Sequence, residues 1–158
     1  MRDHAMIRLA FLLALVAGPA SALSCMVPDP VRTYAERAAE GAAYNVVVGQ
    51  IDLDPAALPQ RRGLNGSDPD ARVPARLTGQ ALGAGGFATP YDRQVTLAAS
   101  CAGPWCPTLG PARVLAFVRA QGGVIAFGAC GGDVFVEPSA EDVARVEACF
   151  AGECPPAR

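Results

Sequence analysis

The chain has 158 residues, the length of one ordinary domain. It is 51% hydrophobic with a formal net charge of −2, which permits a core and excludes a basic field for nucleic acid. All 13 basic residues are Arg, and the single His, His4, lies in a segment read below as a removed leader. A mature chain with neither His nor Lys excludes Ser–His and Cys–His catalysis, a Lys Schiff base, a phosphate-loop Lys and His-ligated metal.

Residues 1–22 read as a secretory signal peptide. Arg2 and Arg8 flank a charged start, Leu9 to Gly18 is a ten-residue apolar run, and Pro19 breaks it. Ala20-Ser21-Ala22 is an A-x-A cleavage site, and Met6 can equally serve as the start codon. A second reading cleaves after Ser24. Ala22-Leu23-Ser24-Cys25 is then an imperfect lipobox, with a lipid anchor at Cys25 as its consequence. No later stretch reaches 18 apolar residues, so no transmembrane helix is expected beyond the leader. Residues 23–150 are read as one domain and 151–158 as a frayed tail.

Asp29 caps a helix that starts at Pro30 and ends at Gly41. Val31, Tyr34, Ala35 and Ala38 form its core side by spacing. Ala43 to Leu53 is the clearest strand. Val46-Val47-Val48 suggests burial on both faces, and Gly49 suggests a bulge or bend. Asp54 to Asp70 is a loop, rich in Pro, Gly and charge. Its Arg61-Arg62 pair is a candidate anion contact, or simply a solvated basic pair.

Arg72 to Leu82 alternates as a strand, with Pro74 implying an edge or a bulge. Gly83 to Gly86 is a turn, and Asp92 to Ala99 a third strand. Cys101 to Gly110 is a Pro- and Gly-rich loop carrying the only Trp, Trp105. Arg113 to Arg119 and Val124 to Phe127 read as a hairpin turned at Gly122-Gly123. Asp133 to Val136 adds a short sixth piece. Ser139 to Asp142 opens a C-terminal helix with a capping box.

The six cysteines all follow the leader, and an even count in an exported chain predicts three disulfides. Cys101 with Cys106, and Cys149 with Cys154, each enclose four residues, a span that a local bridge can close. Cys25 is then left for Cys130. A rival set pairs Cys25 with Cys101 and Cys106 with Cys130, keeping Cys149 with Cys154. Zinc thiolate sites want C-x₂₋₄-C pairs, which these four-residue gaps fit only loosely, and an oxidising compartment disfavours them. Gly103-Pro104-Trp105-Cys106 is similar in composition to the thioredoxin motif, but its order and spacing are wrong for a redox dithiol.

Five short strands with Gly-rich corners and two flanking helices predict a mainly β fold, a small five-stranded OB-like Greek-key barrel stapled by disulfides. Cys25 precedes a helix, then Tyr44-Asn-Val-Val-Val-Gly-Gln, then Leu115-Ala-Phe-Val-Arg and Val124-Ile-Ala-Phe-Gly-Ala-Cys130. This pattern resembles the netrin-like domain and the inhibitory domain of tissue inhibitors of metalloproteinases. The resemblance implies an OB barrel whose N-terminal cysteines tether the lead-in to its loops. Family inhibitors chelate the protease zinc through an N-terminal Cys and start Cys-x-Cys. Here Met26-Val27 follow Cys25, and cleavage after Ala22 leaves Leu23-Ser24 blocking that amine.

The leading expectation is an exported, periplasmic or secreted, non-enzymatic domain that needs no cofactor and binds a protein or the cell envelope. Trp105 is its candidate contact, and the competing reading has Trp105 plugging one end of the barrel. The metalloprotease-inhibitor reading is the first alternative. An enzyme is the second, as a thiol oxidoreductase or through carboxylates. Asp52 with Asp54, and Asp68 with Asp70, are pairs that can share a proton or a hard cation.

Overall fold

The structure, a computed structural model, describes residues 23–158, so the leader reading of residues 1–22 lies outside it. The protein is mainly β with two helices. Helix α1 is Pro30–Ala39, and α2 is Ala140–Phe150. Between them run β1 (Tyr44–Leu53), β2 (Arg61–Arg62), β3 (Gly66–Ser67), β4 (Ala71–Gly83), β5 (Gly86–Ser100), β6 (Ala112–Arg119), β7 (Val124–Gly128), β8 (Gly131–Gly132) and β9 (Val134–Val136). The large sheet has seven strands rather than the expected five, in the order β8-β7-β5-β4-β1-β6-β9. β2 and β3 form a separate two-stranded ladder inside the expected loop.

The two additional strands are short, and Asp133 joins them. Gly132 of β8 pairs with Phe127 of β7, and Phe135 of β9 pairs with Leu115 of β6. The Asp133 N–H donates to the Ala126 carbonyl, and its own carbonyl accepts from Phe117, both at 2.8 Å. β9 matches the short sixth piece expected at Asp133 to Val136, whereas the two glycines of β8 carry no period-2 signature and composition does not announce them.

β6 and β7 are not a hairpin. They share only the pair Arg119↔Val124. β7 instead runs parallel to β5, from Thr96↔Val124 to Ser100↔Gly128. Gly122 and Gly123, at φ +83° and +61°, turn the chain into that path. The Gly123 carbonyl accepts the Thr96 N–H at 2.9 Å and fastens it there. Stepping from neighbour to neighbour, β1–β4–β5–β7–β6 returns to β1.

β4 and β5 are one long hairpin that continues past Leu82 to Gly83↔Gly86. The Gly, Ala and Pro residues there break the apolar alternation, so only the pairing reveals the extra length. Pro74 sits one residue beyond Ala75, which pairs with the last residue of β1, Leu53. β4 is a central strand, yet at Pro74 one neighbour has ended and no amide proton is needed on that side.

Gly49 is not a bulge. It faces Gly79 in regular register, and the irregularity of β4 falls between Ala81 and Leu82. The two glycines let β1 and β4 cross closely. A Cβ at Gly79 would lie 2.2 Å from the Val48 carbonyl oxygen, and one at Gly49 would lie 2.0 Å from that of Thr78. Gly79→Ala is therefore expected to lower stability by about 2–3 kcal/mol. A urea midpoint equal to that of the parent would refute the close crossing.

The core has two parts. One face of the sheet buries Val47, Ile51, Leu77, Leu97, Val114 and Ile125. The other buries Val46, Leu115 and Phe117 with Val146 of α2. Tyr34 of α1 and Phe135 of β9 meet Phe117 edge-on, at ring centroids of 6.5 and 6.1 Å. The Val46-Val47 step feeds both parts, because successive strand residues point to opposite faces.

In α1 the burial differs from the spacing. Val31 is buried, but so are Pro30 and Thr33, while Ala35 and Ala38 are exposed. The reason is tertiary: α2 packs beside α1, and Arg145 of α2 reaches the N-cap Asp29 at 3.4 Å.

The tail 151–158 is held, not frayed. The Arg158 N–H donates to Asp29, and its carbonyl accepts from Arg32 Nη2 at 2.6 Å. Arg145 Nη2 donates to the Pro156 carbonyl at 2.8 Å. Burial acts to raise the Asp29 pKa, but the backbone N–H groups of Arg158 and Val31, with the Arg145 cation, outweigh it and hold the carboxyl below its usual value. Among the described residues no helix is long and apolar enough to cross a membrane.

Candidate functional site

The long strands bring two sets of loops to opposite ends. β1 ends at Leu53 and β5 at Ser100, and the segments that follow them converge at one end. There the Cys101–Cys106 bridge closes a turn over a sequence separation of 5. Inside it, Ala102 and Trp105 exchange backbone hydrogen bonds of 2.8 and 3.2 Å. Gly103 takes φ +59°, which a side chain resists, so the tight turn needs glycine there. Pro107 and Leu109 are buried and root the segment.

Trp105 is 37% exposed, with one edge of its ring near Gly103. The segment after the bridged turn borders an open, largely apolar groove of about 710 Å³, lined by Pro55, Leu58, Pro107, Leu109 and Val136. A second depression of about 460 Å³ shares Pro107, Thr108 and Val136 with the groove. Val136 is 49% exposed.

The N-terminal lead-in reaches this end too. Cys25 is bridged to Cys130, across 105 residues of sequence, and Pro28 lines the second depression. Met26 and Val27 between them are 72% and 78% exposed. The third bridge, Cys149–Cys154, closes the end of α2. No cysteine of the chain is free, so no thiol is left as a nucleophile or metal ligand.

Arg61 and Arg62 stand on the small β2–β3 ladder. Arg62 is engaged by both oxygens of Asp68, at 2.5 and 3.2 Å. Arg61 donates to the carbonyls of Gly63 and Leu64, at 2.8 and 3.3 Å. The hydrogen bond from Arg62, aided by the Gln60 N–H, holds the Asp68 carboxyl below its usual pKa. Both guanidinium groups thus close their own loop.

In each acid pair one carboxylate is engaged by its own loop, Asp68 by Arg62 and Asp54 by a backbone N–H. Asp54 caps the short 3₁₀ turn Pro55–Ala57 through the Ala56 N–H at 2.9 Å. Asp52 stands on β1 opposite Arg76. Among the described residues no three His, Cys, Asp or Glu side chains converge as a metal site.

A buried ionic cluster lies elsewhere. Asp133 is 2% exposed and accepts from Arg37 Nε at 2.7 Å and from the Ala126 N–H at 3.3 Å. Burial pushes its pKa up, against the pull of Arg37. Arg37 also pairs with Glu40. Glu40 in turn accepts from the Tyr44 hydroxyl at 2.8 Å, and that hydroxyl accepts from Arg119 at 3.1 Å. Sequence reasoning missed this cluster, because 96 residues separate Arg37 from Asp133. Its one local signal is a lone Asp between Gly131-Gly132 and the apolar Val134-Phe135-Val136.

No family model, no curated protein and no solved structure matches this chain.

Proposed function

We propose that the protein is an exported, non-enzymatic binding domain that docks a protein partner at its Trp105 end. In this reading β1, β4, β5, β7 and β6 form an OB-like Greek-key barrel of netrin-like build, with β8 and β9 sealing the seam between β7 and β6. The ring of pairings and the parallel β5–β7 step support it. The tether of the lead-in at Cys25–Cys130 is in keeping with the netrin-like resemblance. Three disulfides fit an oxidising compartment.

One observation carries the docking surface: a partly exposed Trp on a bridged turn whose following residues, Cys106 and Pro107, border a largely apolar groove and a second, mixed depression. A large aromatic on a rigid turn loses little freedom on binding, and such residues dominate interface energetics.

Trp105→Ala tests it. The variant is expected to keep its melting temperature within a few degrees. The exported partner retained by the immobilised parent should bind the variant at least about 30-fold more weakly. Because Trp105 is the only Trp in the chain, its emission should shift to the blue as that partner covers it. Equal retention by parent and variant would sink the reading, and so would an unfolded variant, which would make Trp105 a structural residue.

A further inference from the structure

The opposite end of the ring holds a different kind of cavity, of about 490 Å³, within the range of small-ligand sites. Its wall follows from strand alternation. Along β5, Val95 and Leu97 point into the core, so Arg93, Tyr91 and Thr89 share their face. Along β1, Asn45 shares the face of the core residue Val47. Positions that carry Val or Leu deeper in the ring thus carry Asn, Thr, Tyr and Arg at this rim. The β6–β7 turn, Gly122-Gly123, and Gln94 complete the wall.

The charge of the cavity is one-sided. Arg93 lines it, and among the described residues no carboxylate does. Arg119 borders it, but its guanidinium lies over the Tyr44 ring on the opposite face of the sheet. Asp92 projects to the other face of β5 and is held by Arg76 at 2.8 Å. Arg119 is shared, donating to the Tyr44 hydroxyl and lying 3.6 Å from Glu40. Arg93 makes no ion pair among the described residues, so its planar set of donors faces the cavity uncommitted. Tyr91 is buried to its ring, and burial pushes its pKa up, so its hydroxyl stays a neutral donor.

We infer that this mouth of the ring binds an acidic sugar, one sugar unit or a terminal unit of a chain, bearing a carboxylate or a phosphate. Arg93 takes the anion. Asn45, Thr89 and Tyr91 are suited to hydroxyl groups, each offering a donor or acceptor of that reach. The site lies away from Trp105 and does not depend on the docking reading.

The test is an amide NMR titration of the oxidised protein. Glucuronate and glucose 6-phosphate are the probes, and glucose and inorganic phosphate the controls. Saturable shifts at Gly122, Gly123 and Gln94 are expected with at least one acidic sugar, and which one responds identifies the anion. Arg93→Gln should weaken that binding about tenfold or more, with shifts elsewhere in the spectrum unchanged. Arg93→Lys should recover part of it. No saturation by either acidic sugar overturns the inference. So does an equal response to glucose, which removes the role of charge, or to inorganic phosphate, which removes the sugar. Unaltered affinity in Arg93→Gln overturns it as well.

Discussion

Replacing Cys25 and Cys130 together by Ser is expected to lower the unfolding free energy by about 4–5 kcal/mol. Their bridge spans a sequence separation of 105, against 5 for each of the other two. Loop-closure entropy removed from the unfolded chain grows with the logarithm of loop length, so each local bridge contributes only about 2 kcal/mol. For a domain of this size the long bridge corresponds to a fall in melting temperature on the order of 15 °C, and each short one to roughly half of that. The long bridge also has a local task. Residues 23–29 have no regular secondary structure, Met26 and Val27 are solvent-facing, and the Cys25–Cys130 link fastens them to the β7–β8 turn. Calorimetry of the three paired Cys→Ser variants checks the ranking. Equal shifts in all three would show that chain entropy does not set the order.

Asp133→Ala is expected to cost about 2–3 kcal/mol, because it takes from Arg37 the more buried of its two carboxylate partners and leaves it only Glu40. It also removes the acceptor for the Ala126 N–H at the joint where β8 and β9 seal β7 to β6. The reverse variant separates charge from packing. In Arg37→Met the Asp133 carboxyl stays buried with its main counter-charge gone. Burial raises its folded pKa above the unfolded value, so the folded state binds the proton more readily. Stability from this group is then full at low pH and is lost as pH rises through the raised folded value. Arg37→Met should thus gain stability on acidification from neutral pH toward that value, relative to the parent. Chemical denaturation at a series of pH values reads this directly. Parallel curves for parent and variant would mean that Asp133 is not poised by Arg37.

Much of the local structure is legible in the residues. Asp29-Pro30 opens α1 and Ser139 opens α2 with a true capping box, because caps are satisfied within one turn of chain. The strand centred on Val46-Val47-Val48 is legible from β-branched side chains that suit a two-sided core. At the Trp105 end, the Pro- and Gly-rich loop between two cysteines is visible as a constrained turn. Whether its Trp points inward or outward is not, since that depends on what Pro107 and Leu109 find beneath them.

Apart from the short local ladders β2–β3 and β7–β8, the features that stayed hidden join partners distant in sequence. The parallel seat of β7 beside β5 needs a strand laid down some 28 residues earlier, at Thr96↔Val124. The Gly49↔Gly79 crossing, the Arg37–Asp133 pair and the docking of the tail on Asp29 are of the same kind. So is the polar rim, where Asn45 of β1 and Arg93 of β5 come to border one cavity. Composition, caps, turns and alternation act over a few residues, and one linear string displays them. Register, crossing and charge pairing arise when the chain closes on itself. Their energies depend on distances that no spacing along the string encodes, and so they emerged with the folded molecule.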